Sequence, residues 1–248
     1  MVRRVWKIYI ALILIGASLA LGFAHVAIFG NTHDLLFYLA LDVVFVPVQV
    51  LLVTLIIERL LAEREKQVLL HKMNMVIGAF FGEMGTRLLK DINGFCPELP
   101  ELSQKLSISS DWSAKNYKSA VQFVSSREFK LEPAISHFKS MRDFLLSKRE
   151  FMLALLENPN LLEHEKFTDL LWSVSHLTEE LEARIDFDSL PGSDLAHFKS
   201  DTRRAHGNLV REWLAYMKHL QSAYPYIFSL AVRTNPFNPQ SSPVVKEG

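Results

Sequence analysis

Three pairs of residues have the spacing that metal chemistry in helical proteins uses. His176 and Glu180 are four apart, as are His197 and Asp201, and Asp194 precedes His197 by three. Residues three or four apart share a helix face, so each pair could offer an imidazole nitrogen and a carboxylate oxygen to one cation, as in metal centres built between facing helices of a bundle. With nine histidines and 27 acidic residues in the chain, such spacings also arise by coincidence, and most are expected to be solvated surface groups. The expectation is therefore no cofactor and no metal, with His176, Glu180, His197 and Asp201 as the weak candidates should a bundle bring two helices together.

Other groups carry less. Cys96, the one cysteine, lies in a loop at 93–100 with two prolines. It has no discernible His/Asp framework to activate it, and the absence of a possible internal disulfide fits a reducing compartment. Ser109-Ser110 and Ser125-Ser126 lack the pattern of a nucleophile elbow. Gly78, Gly82 and Gly85 follow no strand and lead to no Lys-Ser/Thr ending, so they read as points of close helix approach rather than a phosphate loop. Arg203, Arg204 and Arg211 could read an anion, but Asp201 and Glu212 beside them make a mixed solvated face.

The strongest signal lies elsewhere. Residues 8–29 contain no acid, Lys or Arg, and from 35 to 57 the only charge is Asp42. Each run is roughly 35 Å long as a helix, enough to cross a hydrocarbon core of about 30 Å. Spans at about 6–29 and 35–57 thus form a transmembrane hairpin, 1–57. The basic residues Arg3, Arg4, Lys7 and Arg59, Arg64, Lys66 flank it, and the turn at 30–34 has neither Lys nor Arg. The positive-inside rule places both termini in the cytoplasm of a multi-pass inner-membrane protein. A cleaved signal peptide is the rival, but the first apolar run is longer than a usual signal core and a second follows at once.

Asp42 is the one acid at membrane depth, where such residues usually find a partner. Antiparallel helices bring it near His25; Gln49 shares its face, and Pro47 removes one backbone hydrogen bond from the same span. These four form an expected polar contact within the membrane, either a clasp between helices or, in an oligomer, an ion or proton site.

The organisation beyond the hairpin is all-α. Strong helix formers run from Glu58 to Leu70 without Gly or Pro. Leu61, Val68 and Met75 repeat at seven in a helical stalk, 58–72, that could pair with a second copy. A cytoplasmic helical bundle follows at 73–233, and a disordered tail at 234–248, where three prolines and two serines cluster. Helices are expected at 111–125 with Asp111 as N-cap, and at 131–157, 162–185 and 194–220. Setting aside Arg3, Arg4 and Lys7 from 27 basic residues, and Asp34 and Asp42 from 27 acidic ones, leaves 24 against 25. That balance excludes nucleic acid as the main partner. The lipid bilayer, a second copy and an unidentified protein remain.

Three stretches, at 41–54 (LDVVFVPVQVLLVT), 71–81 (HKMNMVIGAFF) and 224–237 (YPYIFSLAVRTNPF), resemble those of an uncharacterised family of small prokaryotic membrane proteins. The resemblance implies two N-terminal spans and a helical cytoplasmic domain in one product. It carries no catalytic residues across, and the chain reads as a non-enzymatic interaction or signal-coupling module. The competing readings are a membrane-tethered metal-binding enzyme and a conducting oligomer using Asp42.

Overall fold

Helices account for every regular element among the described residues of this computed structural model, as the all-α reading requires. The structure describes residues 2–30, 32–159, 161 and 164–245, with backbone alone for 2–8. Asn31 of the expected turn, the expected helix start at 162 and the last three residues of the expected tail lie outside the described residues, as do the side chains of Arg3, Arg4 and Lys7. The chain divides into two compact units, Met1–Lys66 and Gln67–Gly248.

In the first unit, α1 (Val2–Phe29) ends where Gly30 takes a φ of 63° and donates its N–H to Val26 O at 2.9 Å. That left-handed terminator suits glycine because it has no Cβ to clash. The following helix, α2 (Thr32–Phe80), continues through Pro47 and supplies residues to both units. Between Tyr9 and Ile57 the apolar side chains stay exposed, Leu21, Phe23 and Val44 among them, and only Gly22, His25, Val26 and Leu35 near the turn are half-buried. Both helices are long and apolar enough to cross a membrane.

The second unit has a conventional core. The end of α2 buries Met73, Ile77 and Phe80. A five-residue π-helical turn, Phe81–Gly85, then leads into α3 (Thr86–Asn93). Gly85 explains the turn's tolerance: a Cβ there would stand 2.5 Å from Phe80 Cε1 and 2.9 Å from Phe81 Cδ1, so two aromatic rings occupy its place. Gly78 only touches Tyr216 and Gly82 faces open space. The expectation that all three mark close helix approach is thus corrected: Gly78 alone meets another helix, through Tyr216, Gly82 meets nothing, and Gly85 is crowded only by its own preceding turn.

Short helices follow: α4 (Leu99–Lys105), α5 (Ala114–Ser125), α6 (Ile135–Ser147) and α7 (Arg149–Leu156). The cap of α5 is Ser113, not Asp111, because Asn116 at the third position completes a reciprocal capping box with Ser113. Asp111 instead accepts from Ser109 Oγ. The single helix expected at 131–157 starts later, at Ile135, and breaks at Lys148. Then come α8 (Glu165–Glu182), capped by the His164 ring accepting from Phe167 N, and α9 (Gly192–Ala223). Pro225 opens α10 (Pro225–Arg233) at its first turn, where proline's missing N–H costs nothing.

The expected disordered tail is corrected for its first part. Phe237 is fully buried with its ring centroid 5.0 Å from that of Trp213, and Asn235 Nδ2 donates to Leu106 O at 2.9 Å. The proline and serine content of this segment concealed the weight of one buried aromatic and one satisfied amide.

Candidate functional site

Helices α8 and α9 run antiparallel and pack along their length. Leu170, Leu171, Val174, Leu177 and Leu181 of α8 and Phe198, Ala205, Leu209, Val210 and Trp213 of α9 line the shared core. This stripe sets the rotation of both helices, and with it which polar residues meet at the edge of the seam. A step of four residues forward on α8 meets a step of four back on α9: His176 faces Asp201, and Glu180 faces His197.

All four weak candidates therefore come together. Nε2 of His197 lies 3.2 Å from Asp201 Oδ2 and 3.5 Å from Glu180 Oε2; Nε2 of His176 lies 3.6 Å from Asp201 Oδ2 and 4.0 Å from Glu180 Oε1. One ligand atom each from His176, Glu180 and His197 fall within 4.8 Å of one another. The imidazoles are 43% and 47% exposed, whereas the Asp201 side chain is 2% exposed. Asp201 Oδ2 is buried and accepts no hydrogen bond, although two imidazole nitrogens stand beside it.

Two arginines hold the carboxylates in place: Arg184, which the sequence did not single out, and Arg204, expected only as part of an anion-reading face. Arg204 Nη1 approaches Asp201 Oδ1 at 3.3 Å, leaving Oδ2 to the histidines. Arg184 donates from Nη1 to Glu180 Oε2 and grips Asp194 with Nη2 at 3.0 Å and Nε at 3.3 Å. Its bond to Asp194 first, then Glu180, raises the guanidinium above its ordinary value despite some burial. Asp194 is thus committed to Arg184 and does not join His197. A signal for Asp201 existed: it falls between Phe198 and Ala205 on the buried stripe of α9, where a carboxylate is out of pattern.

A second polar group lies in the core. His206 Nε2 and Asn93 Oδ1 are 2.8 Å apart, and Asn93 Nδ2 donates to Pro236 O at 3.1 Å. With the Asn93 amide turned that way, Nε2 must carry the proton. Complete burial lowers the His206 pKa to about 4, so the ring is neutral; it ties α9 to Asn93 of α3, whose amide in turn holds the C-terminal segment. Glu212, also buried, is raised by burial against the pull of His164, Lys166 and Arg211.

The arginine cluster forms a cleft of about 350 Å³ lined by Arg127, Arg203, Arg204 and Arg211 with Glu128 and Ser200. Arg127 pairs with Glu101 at 2.6 Å and Arg203 with Glu128 at 3.6 Å, while Arg211 donates to Asn208 at 2.7 Å. The face is mixed as expected, but through Glu101 and Glu128; the expected acids, Asp201 and Glu212, are buried. Cys96 is buried, and burial raises its thiol pKa, which disfavours the nucleophilic thiolate.

The structure does not join the expected membrane residues. Asp42 has no hydrogen bond or ion pair among the described residues, the His25 ring lies 4.9 Å from that of Phe29, and Gln49 is exposed. An intrachain clasp between His25 and Asp42 is therefore not formed. Helices apolar on every side present no preferred face for pairing.

Comparison with known proteins gives the same two-part division. Residues 2–61 match a family model described as MJ1433, N-terminal helical domain, and 69–233 match the C-terminal helical domain of Uncharacterized protein MJ1433. The chain is similar to Uncharacterized protein MJ1433 of Methanocaldococcus jannaschii, with 40% identity over 236 residues covering 95% of each. No solved structure matches.

Proposed function

The chain belongs to the MJ1433 family, and on that premise we propose that it is a non-enzymatic inner-membrane protein crossing the bilayer twice and presenting a helical interaction or signal-coupling domain to the cytoplasm. The observation that carries the reading is the first unit's surface: apolar side chains exposed around both helices, Leu21 at 71% and Phe23 at 78%. Water disfavours such a surface by about 25 cal/mol per Å², and a bilayer removes that penalty. Apart from the one bond that Pro47 removes, both helices satisfy the backbone groups of their interiors internally, as lipid requires. The basic flanks and a turn without Lys or Arg support cytoplasmic termini.

The proposed partition is a membrane hairpin at 1–57, a stalk at 58–72 and a bundle from 73. Leu61, Val68 and Met75 are exposed on α2, a pattern that supports pairing of copies through stalk and spans. The exposed bundle surface would meet a protein partner, and α2, which contributes to both units, would carry a membrane state to it.

The test is topology. A His33→Cys variant places a thiol in the turn, while the native Cys96 is buried. In intact cells, a membrane-impermeant maleimide should label the variant and leave the wild type unlabelled, and alkaline carbonate should leave the protein in the membrane pellet. Release into the carbonate supernatant would overturn membrane insertion, and labelling confined to inside-out vesicles would overturn the orientation.

A further inference from the structure

We propose that His176, Glu180, His197 and Asp201 form a binding site for one first-row divalent transition cation, Zn²⁺ foremost. The site is independent of the membrane reading, since all four residues sit in the second unit.

Ligand chemistry comes first. Two imidazoles and two carboxylates form an N/O donor set without sulfur, and imidazole favours zinc and its neighbours over Mg²⁺ or Ca²⁺, which take oxygen. Geometry agrees. A tetrahedral zinc with bonds of about 2.0–2.1 Å separates its ligand atoms by about 3.3–3.4 Å. The four imidazole–carboxylate separations are 3.2 and 3.6 Å to Asp201 Oδ2, 3.5 Å to Glu180 Oε2 and 4.0 Å to its Oε1, around that value before any contraction on binding.

The orphaned oxygen is the second, independent observation. Asp201 Oδ2 is buried without a hydrogen bond, yet an imidazole nitrogen stands 3.2 Å away. At that distance an N–H aimed at the oxygen would bond; here it does not. Both histidines bring Nε2 to the same oxygen, as they would if all three atoms addressed a point between them. A cation there satisfies Oδ2, which otherwise stays an unpaired buried acceptor at a cost to the fold.

The surrounding groups fit this role. Arg204 engages Asp201 Oδ1 and Arg184 engages Glu180 Oε2, orienting each carboxylate as partners of metal ligands do. Their two positive charges offset the carboxylates and Asp194, so the pocket keeps a single net negative charge with neutral histidines. The half-exposed imidazoles leave an entry path and room for a water or a partner's side chain. Filled, the site clamps α8 to α9 at the end nearer their connection.

The experiment uses full-length protein in detergent, stripped by chelator and titrated with Zn²⁺ against a chromogenic competitor. One equivalent should bind. His176→Ala and His197→Ala should each weaken binding by more than the roughly 10- to 100-fold typical of residues that merely orient a ligand. Should an alanine variant fail to fold, His197→Gln and Asp201→Asn preserve side-chain size and serve instead. A measurement on the wild type alone runs in parallel: Zn²⁺ should protect His176 and His197 from diethylpyrocarbonate. Co²⁺ should give the visible bands of a tetrahedral site. No saturable Zn²⁺ or Co²⁺ binding by the folded protein, equal affinity in the folded histidine variants, or protection at other histidines would each overturn the proposal.

Discussion

His25 with Asp42, and the pair His176 and Glu180 with the pair His197 and Asp201, were each expected to meet across two neighbouring helices, yet only the second set assembles. The difference lies in what surrounds each set. On α8 and α9 an apolar stripe covers one side, and fully burying a leucine is worth about 1.5–3 kcal/mol, so turning either helix away from its setting forfeits several such contributions. Rotation is fixed by burial, and the polar residues on the flank are carried to a fixed meeting point. On α1 and α2, within the first unit, apolar side chains point in every direction and nearly all are exposed. Turning one helix exchanges leucine for valine and changes little, so nothing selects the face that carries Asp42.

The comparison breaks most sharply under matched truncations. Leu177 is fully buried beside His176, whereas Leu52 is 57% exposed in the first unit. Leu177→Ala should cost about 2–5 kcal/mol of second-unit stability, the usual range for a buried leucine, and should loosen the meeting of α8 with α9. Leu52→Ala should change it by less than about 0.5 kcal/mol. Urea denaturation of both variants in detergent, followed by tryptophan fluorescence, measures the contrast; equal losses would mean that the two units unfold as one.

The next test concerns the second unit's buried polar network, which has no counterpart in the first. Burial lowers His206 from 6.5 to about 4. As pH falls below 6.5 the unfolded chain takes up a proton that the folded chain refuses, so stability declines. The contribution is intact above 6.5, falls through the interval and is fully lost below about 4, amounting to up to about 3 kcal/mol. His206→Gln, which can still donate to Asn93, should flatten the profile over this window. His219, lowered by burial and then by His71, acts in the same direction; Glu212, raised by burial, acts in the opposite one. Both persist in the variant, so the difference between the profiles belongs to His206. Superimposable profiles would show that its proton is taken up equally in both states.

The helical class and the amphipathic stretches were legible because apolar periodicity is local. The limits of α9, Gly192–Ala223 against the expected 194–220, were near expectation for the same reason, whereas the separate α10 after Pro225 was not expected. What escaped the sequence depended on distant partners. The Ser113 cap prevailed over Asp111 only because Asn116 closes the box. Phe237 reads as part of a polar tail until Trp213 is found beside it. The four cluster residues were identified by spacing, but their convergence needed the register of α8 on α9, and the roles of Arg184 and Arg204 in holding the carboxylates are not visible before that register is known.

Asp42→Asn should have the smallest effect and sharpens the comparison from the other side. With no partner for Asp42 among the described residues, its removal breaks no contact in the chain, and second-unit stability should stay within about 0.5 kcal/mol. Zinc affinity should be unchanged, since the cluster lies entirely in the other unit. In liposomes the wild type and the variant should show the same ion and proton flux, because two helices without a second polar group beside Asp42 provide no relay. Wild-type flux abolished in Asp42→Asn would mean that Asp42 finds its partner in another copy, and the conducting oligomer would then replace the interaction module as the reading of the hairpin.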